Sequence, residues 1–308
     1  MRQIIGIGET VLDIIFKNDL PQTAVPGGST FNAVISLGRA GVPCSIVTEA
    51  GDDHVGDMTC RYLRENNVSD RFVNRNKGVQ SHISLAFLDE NNDARYLFYK
   101  NHAGASVSAA MAPDFTDEDI VLFGSFFAVN PVIRREVSAM LGKAYSAGSV
   151  LYYDINFRAS HIKDIPATAE NIRENMCMAT VVRGSLEDFG YLYGTQDATE
   201  IYERHVRPCC PLFICTDGGN PVEVFTPLWR RTFPAGKIET VSTVGAGDNF
   251  NAGFIYALTC GDIDRTTLLS LPVERWEPLI CMAQAFSSDV CQQYGNSVSA
   301  EFVASLER

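Results

Sequence analysis

Ser242-Thr243-Val244-Gly245-Ala246-Gly247-Asp248 runs straight into Asn249 to Leu258, where Phe250, Phe254 and Leu258 recur every fourth residue. That period predicts a helix starting near Ala246 with its apolar stripe on a core. Gly245 and Gly247 remove side chains from the entering turn, so backbone N–H groups at the helix start are open to an anion. Asp248 stands beside them. A carboxylate there can take a proton from a hydroxyl while the amides of Gly245, Ala246 and Gly247 neutralise a transferring phosphoryl group. The plainer reading of the same residues is a glycine turn before a helix whose first-turn Asp complements the macrodipole.

The elements that must hold this segment follow an alternating pattern. Ile4 to Ile7, Ser45 to Val47, Ile120 to Phe123, Val150 to Tyr153, Thr180 to Val182 and Leu212 to Cys215 are short β-rich runs of the buried-strand type, most of them followed by a helical pattern. The clearest helix opens at Asn130-Pro131, carries Ile133, Val137, Met140, Leu141 and Ala144 on one side, and stops at Gly148. The apolar stretch Ile120 to Val129 reads as one buried strand, too short to span a bilayer. Strand, helix, strand in repetition predicts an α/β fold with a mostly parallel sheet between helical layers. Ligands then bind beyond the carboxyl ends of the strands, where Glu9, Asp13, Gly124, Ser125, Asp154, Asn156, Gly184, Ser185 and Thr216 to Gly219 gather.

Two stretches break the rhythm, residues 14–26 and 82–99. In the second, His82 to Leu88 and Arg95 to Tyr99 flank the polar turn Asp89-Glu90-Asn91-Asn92-Asp93, a hairpin signal. Together they predict a small β flap standing off the sheet, able to cover a site. Its apolar strands predict contact with the same flap of a second chain, a two-fold dimer.

The 308 residues, 46% hydrophobic, contain no repeat or linker, which predicts one α/β domain over 1–308. A net charge of -12 argues against nucleic acid or an anionic membrane as a partner. The N-terminus reads as a strand and not as a signal peptide, and nine scattered cysteines predict reduced thiols in a cytoplasmic protein. A nicotinamide fingerprint after Gly6-Ile7-Gly8 fails because its third glycine would be Val11. The Gly-Lys pairs at 142–143 and 236–237 lack the rest of a P-loop, and the five histidines show no ligand spacing.

The segment at 242–248 resembles the C-terminal signature of the ribokinase-like (PfkB) carbohydrate kinases. Gly6-x-Gly8-Glu9 with Asp13 is similar to the family's first strand, and Gly27-Gly28-Ser29-Thr30-Phe31-Asn32-Ala33 to its N-terminal signature. Gly38, Gly41 and Gly51-Asp52-Asp53-x-x-Gly56 follow at the expected distances. Asp154-x-Asn156-x-Arg158 resembles a motif of the fructokinase and ketodeoxygluconate kinase branches. The resemblance implies a ribokinase-like three-layer fold and transfer of the γ-phosphoryl group of ATP, with Mg2+, to a small sugar. Fructose is the first choice, then ketodeoxygluconate or ribose.

Carried over by residue, Asp248 is implied as catalytic base and Gly245, Ala246 and Gly247 as anion hole. Asp13, Gly27, Gly28 and Asn32 are implied to bind sugar hydroxyls, with Lys100 and Arg158 as further contacts. Ser185, Thr216, Gly218 and Gln284 fall on the nucleotide side, and Asp188, or neighbouring Glu187, on a metal through water. The chain departs from the family at Ser242, where an Asp that helps bind a monovalent cation is usual, so the resemblance does not extend to that cation. It departs again at Ser185-Leu186-Glu187-Asp188, in place of Asn-x-x-Glu, and at Lys100, where Arg is frequent. The reading from a different class is a catalytically impaired sugar- or nucleotide-binding protein of the same fold.

Overall fold

The computed structural model describes residues 2–90, 94–99 and 107–306. The first strands are β1 (Ile4–Ile7), β2 (Val11–Lys17), β3 (Leu20–Gly27), β4 (Cys44–Gly51), β5 (Val68–Ser69), β6 (Val73–Asn76), β7 (Ile83–Leu88) and β8 (Ala94–Tyr99). They are followed by β9 (Ile120–Gly124), β10 (Val150–Asp154), β11 (Val181–Ser185), β12 (Leu212–Thr216), β13 (Val222–Phe225) and β14 (Arg230–Phe233). Between them lie α1 (Ser29–Arg39), α2 (His54–Glu65), α3 (Ser125–Val129), α4 (Arg134–Ala147), α5 (Ile165–Met178), α6 (Leu186–Tyr193) and α7 (Ala198–Ile201). The C-terminal helices are α8 (Ala246–Cys260), α9 (Arg265–Leu269), α10 (Trp276–Cys291) and α11 (Ala300–Leu306).

The main sheet runs β14-β13-β12-β11-β10-β9-β1-β4-β5, with β6 beside β4. Every pairing from β12 across to β5 is parallel, and β13 and β14 add an antiparallel edge. Alternate residues go to opposite faces. Ile4, Leu122, Tyr152 and Ile214 join one core with Phe254 and Trp276, and Ile5, Val121, Tyr153 and Phe213 join another with Val137 and Met140. Two cores on one sheet give three layers, as the unbroken apolar runs require.

The flap is a separate sheet in the order β3-β2-β7-β8, with β2 parallel to β7. Its register puts Asp13, Ile15, Ser84 and Ala86 on one face and Ile14, Phe16, Leu85, Phe87 and Leu97 on the other. Ile15, Ala86 and Leu88 pack with Val244, so the flap is seated on the turn that leads to Asp248. On the outward side Leu97 is 47% and Tyr99 62% exposed.

Several local expectations are corrected. Ile120 to Val129 is not one strand: it ends at Gly124, and Ser125, at φ 55, opens α3. A Cβ at Gly124 would lie 2.0 Å from the Asp154 carbonyl oxygen, so the two strands touch there and the chain must turn away. The helix expected from Asn130 begins at Arg134, because the Asn130 side chain accepts the Val132 N–H at 3.0 Å and makes a turn first. Its end at Gly148, φ 88, is as expected. Cys177 and Cys209 are joined by a disulfide, against the expectation of thiols throughout, because the end of α5 and the turn before β12 bring their Cα atoms to 4.1 Å. The flap turn 91–93 and Lys100 lie outside the described residues. Among the described residues no helix is long and apolar enough to cross a membrane.

Candidate active site

α8 places Asp248 in its first turn because Phe250, Phe254 and Leu258 anchor the helix in the core below. Gly245, at φ 79, makes the left-handed turn into the helix. Asp248 is buried and accepts a hydrogen bond from Asn32 Nδ2 at 2.8 Å. Burial pushes its carboxyl up to about 6, against the hydrogen bond from Asn32, the Arg158 charge and the Ser29 hydroxyl, which favour the anion. It is therefore ionised at neutral pH yet far more basic than an ordinary aspartate, as a general base should be. The three amides are not equivalent. Ala246 N–H donates to the Thr243 carbonyl at 3.2 Å, whereas among the described residues no acceptor faces the N–H of Gly245 or Gly247.

Asp13 comes from the inner face of the flap strand β2, and Ser84 Oγ donates to its Oδ1. Gly27 and Gly28 close β3 onto α1. A Cβ on Gly27 would sit 2.1 Å from Asp13 Oδ2, and Gly28, at φ 128, would press one 2.4 Å from the Glu9 carbonyl. The backbone thus requires glycine at Gly28, and any side chain at Gly27 would have to displace the Asp13 carboxylate. Asn32, in the first turn of α1, thus lies between the Asp13 strand and Asp248. Gly51-Asp52-Asp53-x-x-Gly56 serves the scaffold. Asp53 caps α2 through Gly56 N–H at 2.8 Å and accepts from Ser81 N–H at 2.7 Å, tying the approach to β7.

The sequence reading missed Arg183, a buried cation in the middle of this region. Its Nη1 donates to Asp154 Oδ1 at 3.0 Å and its Nη2 to Thr216 Oγ1 at 2.7 Å. Asp154 also accepts from Asn251 Nδ2 at 2.7 Å, and Asn251 Oδ1 accepts from Tyr152 OH at 3.1 Å. Burial draws the Arg183 pKa down, but Asp154, Tyr152 and Asp188 together outweigh it through charge and the Asp154 hydrogen bond, and the net direction is up. A Cβ on Gly247 would lie 2.9 Å from Nη1, so the guanidinium rests against the open end of α8. An arginine inside the apolar run at 181–185 is the signal that could have found it.

Thr216 is buried at the end of β12, and Gly218, at φ 51, turns the chain beyond it with open space where a side chain would be. Ser185 and Asp188 form a capping box at α6: Ser185 N–H donates to Asp188 Oδ2 at 2.8 Å, and Asp188 N–H to Ser185 Oγ at 3.1 Å. Burial and the Asp154 charge raise the Asp188 pKa. Glu187 accepts from the Tyr191 hydroxyl at 2.7 Å. Arg158 is exposed, and its charge acts on both Asp248 and Asp188. Ser242 is buried, and its hydroxyl accepts from Val244 N–H at 3.2 Å. Gln284 donates from α10 to the Pro234 carbonyl at 3.0 Å.

Residues 1–301 match the sequence description of the pfkB family carbohydrate kinases. The chain belongs to that family. A fructokinase of Rhizobium leguminosarum bv. trifolii is 27% identical over 264 residues, covering 83% of this chain and 79% of that protein. Aminoimidazole riboside kinase of Salmonella typhimurium is 24% identical over 264 residues, 84% of this chain and 82% of that one. Among solved structures, the Xylella fastidiosa fructokinase with bound ATP superposes with a TM-score of 0.86 at 20% identity, covering 99% of this chain and 97% of the other. The Salmonella enterica riboside kinase with aminoimidazole riboside and an ATP analogue gives 0.83 at 22% identity, covering 99% and 98%. This pfkB family carbohydrate kinase thus has the ribokinase-like fold that its motifs implied.

Proposed function

We propose that this carbohydrate kinase transfers the γ-phosphoryl group of ATP to a hydroxyl of a small sugar, with D-fructose the substrate to test first. The observation that carries the reading is Asp248: a buried carboxylate raised to about 6, held by Asn32 and set beside the open amides of Gly245 and Gly247. A sugar hydroxyl placed against Asp248 loses its proton to the carboxylate as its oxygen bonds to the γ-phosphorus of ATP and the bond to the β,γ-bridging oxygen breaks to release ADP, while the amides with buried Arg183 offset charge on the transferring group. Asp13 and Asn32 orient the sugar through paired hydrogen bonds, and Thr216 and the turn at Gly218 line the nucleotide phosphates. Fructose is favoured by the fructokinase relative and by Asp154-x-Asn156-x-Arg158. The riboside kinase relative supports a ribosyl substrate as the second reading.

Mg2+ fits the donors in one way only. Among the described residues no cluster of three His, Cys, Asp or Glu could cage a metal, and Asp188 already spends Oδ2 on its cap. Mg2+ bound mostly by nucleotide phosphates and water, with Asp188 or Glu187 as an outer contact, suits that chemistry, and it would neutralise phosphate charge. The outward apolar face of the flap, with Leu97 and Tyr99 exposed, supports a homodimer through paired flaps.

A coupled assay with ATP on fructose, ribose, ketodeoxygluconate, adenosine and aminoimidazole riboside tests the reading. The highest kcat/KM is expected on fructose. A higher value on a riboside would replace the first reading with the second, and no turnover on any would favour the impaired binding protein.

A further inference from the structure

We propose that Asn296 is an additional sugar-contacting residue, its Oδ1 accepting a hydrogen bond from the hydroxyl next to the one that Asp13 binds. It lies in the segment after α10, far from every sequence motif. Its side chain is 4% exposed, and Nδ2 reaches Asp13 Oδ2 at 3.5 Å. A Cβ on Gly27 would be 3.1 Å from that same Nδ2, so the amide shares the corner formed by Asp13 and Gly27. Its backbone oxygen accepts from Asn249 Nδ2 at 2.8 Å, and Asn249 also donates to the Gly245 carbonyl at 2.8 Å. Asn296 is thus clamped between the sugar carboxylate and the turn before Asp248.

The chemistry of the amide sets its orientation. Asn296 donates from Nδ2 to Asp13 Oδ2, which turns its carbonyl oxygen away from that carboxyl group. Among the described residues that buried oxygen has no hydrogen-bond partner, and Oδ1 of Asn32, whose Nδ2 donates to Asp248, is in the same state. Two orphan acceptors beside two carboxylates are unfavourable in an empty protein and suited to a ligand rich in hydroxyl donors. Vicinal hydroxyls meet the pattern: one donates to Asp13, its neighbour to Asn296 Oδ1. Specificity follows, because a sugar lacking the second hydroxyl leaves the acceptor unpaired.

The inference rests on Asp13 as the sugar carboxylate, so Asp13→Ala is measured beside Asn296→Ala and Asn296→Ser. The probes are the panel sugar with the highest wild-type kcat/KM and its monodeoxy analogues, with ATP dissociation constants by calorimetry and melting curves for each variant. Asn296→Ala is expected to raise the sugar KM about tenfold, with kcat and ATP affinity within about twofold of wild type. For one deoxy analogue the variant should bring no further loss, which a merely structural role would not produce. An unchanged KM in both Asn296 variants while Asp13→Ala weakens the sugar, or equal weakening of every analogue, overturns the proposal. An unchanged KM in Asp13→Ala overturns the underlying assignment, and this one with it.

Discussion

Replacing Asp248 by Asn keeps the shape of the side chain and removes the proton acceptor, so it separates the chemistry of the site from its architecture. With the carboxyl at about 6, the ionised fraction is about 0.9 at pH 7 and about 0.1 at pH 5. The wild-type kcat/KM, which follows the pKa of the free enzyme, should therefore fall close to tenfold between those values. An aspartate at the usual 3.8 would lose less than a tenth of its activity over that range. Asp248→Asn should lose the acidic limb together with about 10²-fold or more of kcat. Stability moves the other way. A pKa raised on folding favours the native state fully below 3.8, and that contribution disappears as the pH rises through about 6. At pH 7 the ionised, buried Asp248 thus costs up to about 3 kcal/mol, from a shift of roughly two pKa units at 1.36 kcal/mol each. The Asn variant should melt at or above the wild-type temperature. The assays are a coupled kinase measurement from pH 5 to 8 and a thermal melt at pH 7. A variant kcat within tenfold of wild type, a flat wild-type profile or a clearly lower melting temperature would refute the argument.

Gly247→Val should lower kcat at least tenfold while leaving sugar affinity intact, since its side chain would meet Arg183 Nη1 and cover an amide proposed to face the transferring phosphoryl group; equal losses in kcat and calorimetric sugar affinity, in a protein that melts normally, would remove the turn from the proposed phosphate site. Arg183→Met strands Asp154 in the core and should cost about 3–5 kcal/mol in urea unfolding, with Asp154→Asn in the same chain recovering part of it. A cost under about 1 kcal/mol would mean that Asp154 finds another partner. Leu97→Asp should convert a dimer to monomers with weaker sugar binding, and wild-type monomers in equilibrium sedimentation at micromolar concentration would rule out the paired flaps.

Much of this protein is written locally in its sequence. The period of Phe250, Phe254 and Leu258 starts α8 at Ala246, and the run Ile4 to Ile7 has the bounds of β1. Backbone geometry imposes both patterns on any chain, so residues within one element reveal them without knowledge of its neighbours. The glycine turn and Asp248 are legible for the same reason: turn, helix start and carboxylate are contiguous. The flap is visible as a break in rhythm, although its inner face, with Asp13 and Ser84 together, depends on the parallel register of β2 with β7.

What the tertiary structure decided are the partners of those residues. Asn32 meets Asp248 across 216 residues of sequence and Asn296 meets Asp13 across 283, separations at which no spacing rule operates. Whether Asp188 caps a helix, whether Arg183 lies against Gly247 and whether Cys177 finds Cys209 depend on how separate elements dock. Docking also makes Asp248 basic, because burial by other segments raises its pKa against the hydrogen bonds and the Arg158 charge that those segments bring. A sequence can name a carboxylate, but its proton affinity belongs to the packed environment, where solvent is excluded and each neighbouring dipole has a fixed direction.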